Sequence, residues 1–333
     1  MLLMLEFSMI HADSRRAAVE SWLAAQLRGA RFSLTPASVD ASFRRYFRAT
    51  LPDGRSYVVM DAPPGKEDCR PFVHVARLLH AAGVHAPEVH AEDLAQGFLL
   101  LGDLGTQTYL QELNANNAAR LLGDATDALL RWQLATRPGE LPPYDEALLR
   151  REMNLFPEWY VARHLGVELS SAQKSDLEGI FRLLVKSALA QPAVYVHRDY
   201  MPRNLMVSDP NPGVLDFQDA VLGPITYDMV SLLRDAFVSW DEERVLDWSV
   251  RYWEKAKRAG LPVETGFAEF WRAFEWMGLQ RHLKVLGIFA RINYRDGKPK
   301  YLEDTPRFLR YARAVSERYA ALAPLARLLD ELE

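Results

Sequence analysis

The sequence predicts an α+β protein in two lobes, a small sheet-rich N-terminal lobe over residues 1–103 and a larger, mostly helical lobe over residues 104–333. Three observations carry this. Short strand-like runs occupy much of residues 32–101, separated by turn residues such as Pro52-Asp53-Gly54 and Pro63-Pro64-Gly65. From Thr108 to the end, helical patterns dominate. One compact strand–loop–strand block, Val194–Phe217, interrupts them. At 333 residues the chain exceeds the ~250–300 at which single cores stop growing, so two cores are expected.

Taken in order, Asp13 is placed to cap a helix over Ser14–Leu27 that offers Ala17, Trp22, Leu23 and Leu27 for burial. Phe43, Tyr46 and Phe47 interleave with basic residues before the strand Ser56–Met60. Phe72–Ala82 has helical spacing and stops at Gly83. Pro87–His90 and Phe98–Leu101 read as two further strands, and Gly102–Gly105 as a flexible junction. No fixed repeat and no low-complexity linker occurs.

Composition narrows the function. A formal net charge of -4 argues against a general nucleic-acid binder, which would carry a basic excess. Cys69 is the only cysteine, so no internal disulfide is possible. No apolar run approaches the ~20 residues of a membrane span. The start, MLLMLEFSMI, lacks a basic leader and is broken by Glu6, which argues against a secretory signal. The expectation is a cytoplasmic protein with no membrane or nucleic-acid partner; protein partners cannot be read.

The strongest signal is Val196-His197-Arg198-Asp199-Tyr200-Met201-Pro202-Arg203-Asn204, followed by Val214-Leu215-Asp216-Phe217-Gln218. Apolar strands flanking the polar loop would bring Asp199, Asn204 and Asp216 to one end of a small sheet. Phosphoryl transfer needs such a set: a carboxylate facing the attacking hydroxyl, and oxygen ligands for Mg²⁺ on the phosphates. Asp199 is the hydroxyl-facing candidate, Asn204 and Asp216 the metal ligands. The bland alternative is a polar loop whose Asp and Asn only make turns; spacing, strand context and the second aspartate together outweigh it. His197 reads as a loop brace. Asp219 reads as a turn carboxylate, and Asp228, before an apolar helical run, as a cap or brace.

HRDYMPRN resembles the kinase catalytic loop H-R-D-x-x-x-x-N, and DFQ at Asp216 resembles its DFG element. The resemblance implies a two-lobed protein-kinase-like fold using ATP and Mg²⁺. GPITYDM at Gly223 is similar to aminoglycoside phosphotransferases and related small-molecule kinases, and no A-P-E element follows, which disfavours protein substrates. No G-x-x-x-x-G-K-[ST] occurs, so a P-loop is excluded. The turn Asp40–Phe47 is then the phosphate-covering candidate, through Ser42, Phe43 and Arg44, although it lacks glycine and an ordinary hairpin fits equally. The strand Ser56–Asp61 lacks the kinase lysine, leaving Arg44, Arg45 or Lys66 to supply that charge. Adenine is expected along Leu101, Gly102, Asp103 and Leu104, a segment equally compatible with a plain linker.

On the acceptor side, Arg151–Tyr160 offers Glu152, Asn154 and Trp159, a mix of carboxylate, amide and aromatic that suits a sugar, although an amphipathic helix explains it from composition alone. Spacings of 3, 4, 3 and 4 align Arg281, Lys284, Ile288, Arg291 and Arg295 on one helix face, and Arg281 and Lys284 are the preferred pair for an anionic substrate. A solvated helix end is the default for such a face. From about Val39 to Tyr301 the chain most resembles the anomeric kinases of N-acetylmuramate and N-acetylglucosamine, on SFRRYFR, VVMDAPPGKEDCRPFV, REMNLFPEWY, HRDYMPRNLM, LDFQDAVLGPITYD and QRHLKVLGIFARINYRDGKPKYL. That resemblance implies phosphorylation of an amino sugar's anomeric hydroxyl in peptidoglycan recycling. An aminoglycoside-type kinase and a nucleotide-binding pseudokinase are the alternatives.

Overall fold

The computed structural model describes residues 2–38 and 43–332. They group into two compact units, 1–107 with 206–219, and 108–205 with 220–333. The first unit thus takes in Met206–Asp219, a segment that a single cut after residue 103 leaves with the helices.

In the first unit an all-antiparallel sheet has the order β1-β2-β3-β5-β4, with β1 Ser33–Ser38, β2 Arg45–Thr50, β3 Ser56–Asp61, β4 Val89–Asp93 and β5 Phe98–Gly102. Alternation in β2 turns Phe47 and Ala49 inward, where they meet Val59, Phe98 and Leu100. Val19 and Leu23 of helix α1 (Leu2–Gln26) complete this core. Because α1 begins at Leu2, Asp13 lies inside the helix and is not its cap. The helix is fastened to the sheet electrostatically: Asp61, fully buried at the end of β3, receives both Arg15 and Arg45, each Nε at 2.9 Å. The charge at the end of this strand is therefore a carboxylate held by two guanidiniums. Helix α2 (Arg70–Ala81) buries Phe72, Val73, Val75, Ala76 and Leu79.

The second unit is helical: α3 (Tyr109–Glu112), α4 (Ala118–Leu134), α5 (Glu146–Met153), α6 (Ser171–Ala190), α7 (Tyr227–Leu233), α8 (Glu242–Arg258), α9 (Phe267–Asp296), α10 (Thr305–Arg318) and α11 (Ala323–Glu331). The expected single small sheet is two separate ladders. In this unit β6 (Ala193–Val196) pairs with β9 (Val221–Pro224); β7 (Leu205–Met206) pairs with β8 (Gly213–Val214), which lies in the segment grouped with the first unit. A π-helix, Phe156–Leu165, follows α5 and ends at Gly166 in the left-handed conformation.

α9 is the organising element, buried on several faces from Phe270 to Ala290. At Gly287 the backbone of Leu155 lies so close that an added Cβ would sit 2.2 Å from its carbonyl carbon. Gly287→Ala is therefore expected to destabilise by about 1–3 kcal/mol, since backbone rather than a flexible side chain must move. Gly123→Ala in α4, where nothing lies within 4 Å, should be neutral or stabilise by up to ~1 kcal/mol. Denaturant midpoints of the two variants check this; equal midpoints would mean that the close approach is not needed.

Candidate active site

The loop after β6 is tied down at successive residues. Asp228 in α7, fully buried, accepts the backbone N–H groups of His197 at 2.7 Å and Arg198 at 3.0 Å. Burial pushes the Asp228 carboxyl up to about 7, although both N–H groups and Arg281 favour its ionised form. Nδ1 of the buried His197 accepts the N–H of Asp199 at 3.3 Å, and Asn204 Nδ2 donates to the Asp199 carbonyl at 2.9 Å. The Tyr200 hydroxyl donates to Ala125 O at 2.7 Å. Held this way, the half-buried Asp199 is presented on a loop with little freedom. Arg198 adopts φ 77, a left-handed conformation that costs a non-glycine residue about 1–3 kcal/mol and needs neighbours to enforce it.

Beneath the loop lies a charged hub. Glu152 of α5 is 5% exposed and accepts from Arg198 Nη2 at 2.6 Å, Lys284 Nζ at 2.9 Å, Gln280 Nε2 at 3.3 Å and the Tyr144 hydroxyl. Burial alone would raise the Glu152 carboxyl, but Lys284 and Arg198 outweigh it and hold it at about 2. Lys284 also donates to the Tyr227 hydroxyl at 3.0 Å. Burial works against its charge, yet Tyr227, Glu152 and Asp199 raise its pKa. Arg281, 3% exposed, lies in the field of the buried Asp228 and Asp235. The expected basic face therefore is not a solvated one at its start: Arg281 and Lys284 point into the fold. Arg291 is half-buried, and only Arg295 is exposed, paired with Asp296. Of the other acceptor-side candidates, Asn154 is exposed at the end of α5. Trp159 is half-buried beside a surface depression of about 540 Å³ shared with Glu158, Arg163, Tyr294 and Arg295.

In the first unit, Asp216 has φ 63 and accepts from Gln218 Nε2 at 2.9 Å. Phe217 is fully buried and packs on Phe72 of α2, ring centroids 4.6 Å apart. Arg44 pairs with Glu67 at 3.0 Å; burial opposes its charge, while Tyr46, Glu67, Asp219 and Asp216 raise its pKa. Phe43 is exposed, with Lys66 Nζ 4.3 Å from its ring centroid. Ser42 lies outside the described residues. Leu101 and Gly102 belong to β5 between β3 and β4, and the Gly102 N–H is committed to Glu88 O at 2.8 Å. Asp103 is clamped by Arg48 at 2.6 and 3.0 Å, which leaves Leu104, half-buried just beyond, as the first residue past the sheet and clamp.

The amide nitrogen of Asn204 donates to the Asp199 carbonyl; an amide oxygen of this kind, and a carboxylate such as that of Asp216 in the first unit, are each ligand types that Mg²⁺ accepts. Among the described residues no three His, Cys, Asp or Glu side chains converge. A cation bound through one carboxylate, one amide and phosphate oxygens needs no such trio. Sequence reasoning missed Tyr144, Tyr227 and Gln280 because their partners lie 8 to 128 residues away. Arg198 lies inside the motif, where its sequence says nothing of its buried partner Glu152; Asp228, expected as a cap or loop brace, lies in α7 and accepts the two loop N–H groups.

An α+β protein with a sheet unit, a helical unit and a braced H-R-D-x-x-x-x-N loop is a kinase-like phosphotransferase, and solved structures share the fold. A choline kinase from Streptococcus pneumoniae aligns with TM-score 0.64 at 12% identity, covering 90% of this chain and 99% of its own. An ADP-bound aminoglycoside phosphotransferase aligns with TM-score 0.59 at 16% identity, covering 89% and 97%. The match to the phosphotransferase enzyme family spans residues 33–265, and the chain belongs to that family. Relatives named N-acetylmuramate/N-acetylglucosamine kinase include one from Pseudomonas putida, 60% identical over 90% of this chain and 88% of its own length. Another, from Neisseria meningitidis, is 53% identical over 96% of both. Among the described residues no helix is long and apolar enough to cross a membrane.

Proposed function

We propose that this phosphotransferase is an ATP-dependent sugar kinase acting on N-acetylmuramate and N-acetylglucosamine at the anomeric hydroxyl, in cytoplasmic peptidoglycan recycling. The observation that carries the substrate is the 53–60% identity, over nearly the whole chain, to relatives named for those two sugars. The anomeric position rests on the resemblance of the motifs. In this reading Asp199 takes the proton of the attacking hydroxyl as the oxygen–phosphorus bond forms and the bond to the departing ADP breaks. Asn204 and Asp216 hold Mg²⁺, which when bound neutralises phosphate charge. Phosphate contacts fall to the 42–44 turn, with Arg44 as the cation in place of a strand lysine, and adenine to the 101–104 segment, mainly at Leu104. The nucleotide-binding lobe is residues 1–103 and the catalytic and acceptor lobe residues 104–333. Asn154 and Trp159 are accessible and face the sugar; Glu152, Arg281 and Lys284 act from beneath the loop.

A panel of N-acetylmuramate, N-acetylglucosamine, an aminoglycoside and choline, with ATP and Mg²⁺, tests this. Turnover should be confined to the amino sugars, and phosphorus NMR of the product should show phosphate coupled to the anomeric proton. Turnover of the aminoglycoside or choline alone would reassign the substrate. Phosphate at another carbon would reassign the position only. Nucleotide binding without turnover of any acceptor would mark a pseudokinase.

A further inference from the structure

We infer that Glu152 is a positioning residue of the catalytic loop, setting the backbone of Asp199 through Arg198 and fixing Lys284 as a neighbouring positive charge. The argument begins with Arg198. Its φ of 77 is one that an arginine does not choose, and Asp199 is the next residue. Two ties enforce the conformation from different directions. Asp228 captures the N–H groups of His197 and Arg198 from the backbone side. Glu152 captures the guanidinium at 2.6 Å from the side-chain side, in a setting where Glu152 is 5% exposed and water competes little.

The second half of the role concerns charge. Arg198 and Lys284 each lower the other's comfort as cations, and the carboxylate of Glu152 lies within 3 Å of both. Remove its charge, and two mostly buried cations face each other with no counter-ion between them. Lys284 then keeps only the Tyr227 hydroxyl at 3.0 Å and the field of Asp199, so its placement, and with it the field it puts on Asp199, changes. Gly287, one turn along α9 from Lys284, is what lets the end of α5 approach α9 so closely. Glu152 needs no contact with substrate to act in this way.

The inference rests on the proposed role of Asp199, so its test has one arm that needs no turnover. Glu152→Gln should speed amide hydrogen exchange in the 197–204 peptide at least tenfold while peptides of α4 and α6 keep their protection. In steady state it should lower kcat roughly 10–100-fold, with sugar and ATP KM changed less than about threefold. The effect should be shared with Arg198→Met, so that the double variant is little worse than either single one. Unchanged exchange in 197–204, additive losses in the double variant, or a raised sugar KM with kcat retained would each overturn the inference. The last would make Glu152 a substrate contact. Should Glu152→Gln fail to fold, Arg198→Met supplies the exchange and kcat readings alone, since Glu152 keeps Lys284 as its partner. A wild-type enzyme inactive on every acceptor would defeat the functional proposal and leave the exchange result standing.

Discussion

Asp199→Ala is expected to lower kcat by ~10²–10⁴, equivalent to roughly 3–5 kcal/mol of transition-state stabilisation, with the fold and nucleotide affinity intact. The sparing of the fold follows from where the ties are. Asp199 is held by its own N–H and C=O, to His197 and Asn204, and both survive truncation of the side chain. Its half-buried carboxylate leaves no core cavity behind. Asp199→Asn separates chemistry from shape, because it keeps the volume and loses the proton acceptor; it should be nearly as inactive. Thermal unfolding, nucleotide titration and steady-state rates on one preparation check the claim. More than about a tenth of wild-type turnover in either variant would contradict a proton-accepting role of this size.

How far the sequence carried this picture depends on the range of each interaction. β3, α2 and β5 were readable within two or three residues because alternation, helical period and breakers are local signals. β9 was not, because Val221-Leu222-Gly223-Pro224 has no alternation and carries Gly and Pro, and it becomes a strand only by pairing with β6. The π-helix was invisible for a related reason: it has no period that differs usefully from an α-helix over ten residues. The expected start of α1 falls twelve residues late, because Asp13 resembles a cap and nothing local marks the helix as beginning at Leu2.

The site shows the same division. The loop spacing identified Asp199, Asn204 and Asp216 as residues to watch, since that chemistry demands them close in sequence. The burial of Glu152, Arg281 and Lys284 is not legible in the sequence, because charge on a helix face is ordinarily solvated. Here α5, the π-helix and α9 close over it, and each charge finds a counter-charge far along the chain: Glu152 with Lys284, and Arg281 with Asp228 and Asp235. Sequence spacing states which side chains share a face; only the packing of other elements decides whether that face sees water.

Asp216→Asn is expected to cost roughly 10²–10³-fold in kcat and to shift the half-saturating Mg²⁺ concentration upward by at least about tenfold. Asparagine is the informative replacement. Asp216 has φ 63, which Asn tolerates and Ala does not, so the amide removes charge without adding backbone strain. It also keeps an oxygen to accept from Gln218. Asn204 is neutral, and its loss should be smaller, about 10–100-fold. Asn204→Asp separates its two tasks, since aspartate retains a metal-binding oxygen but cannot donate to the Asp199 carbonyl. It should bind Mg²⁺ at least as well as wild type and still turn over slowly. Nucleotide affinity, measured with and without Mg²⁺, supplies a reading independent of rate. The Mg²⁺-dependent gain in affinity should shrink in Asp216→Asn and persist in Asn204→Asp. If Asp216→Asn and Asn204→Ala both keep the wild-type Mg²⁺ dependence of rate and of nucleotide binding, neither residue is a metal ligand. The spacing of the loop would then have to be explained by its backbone alone.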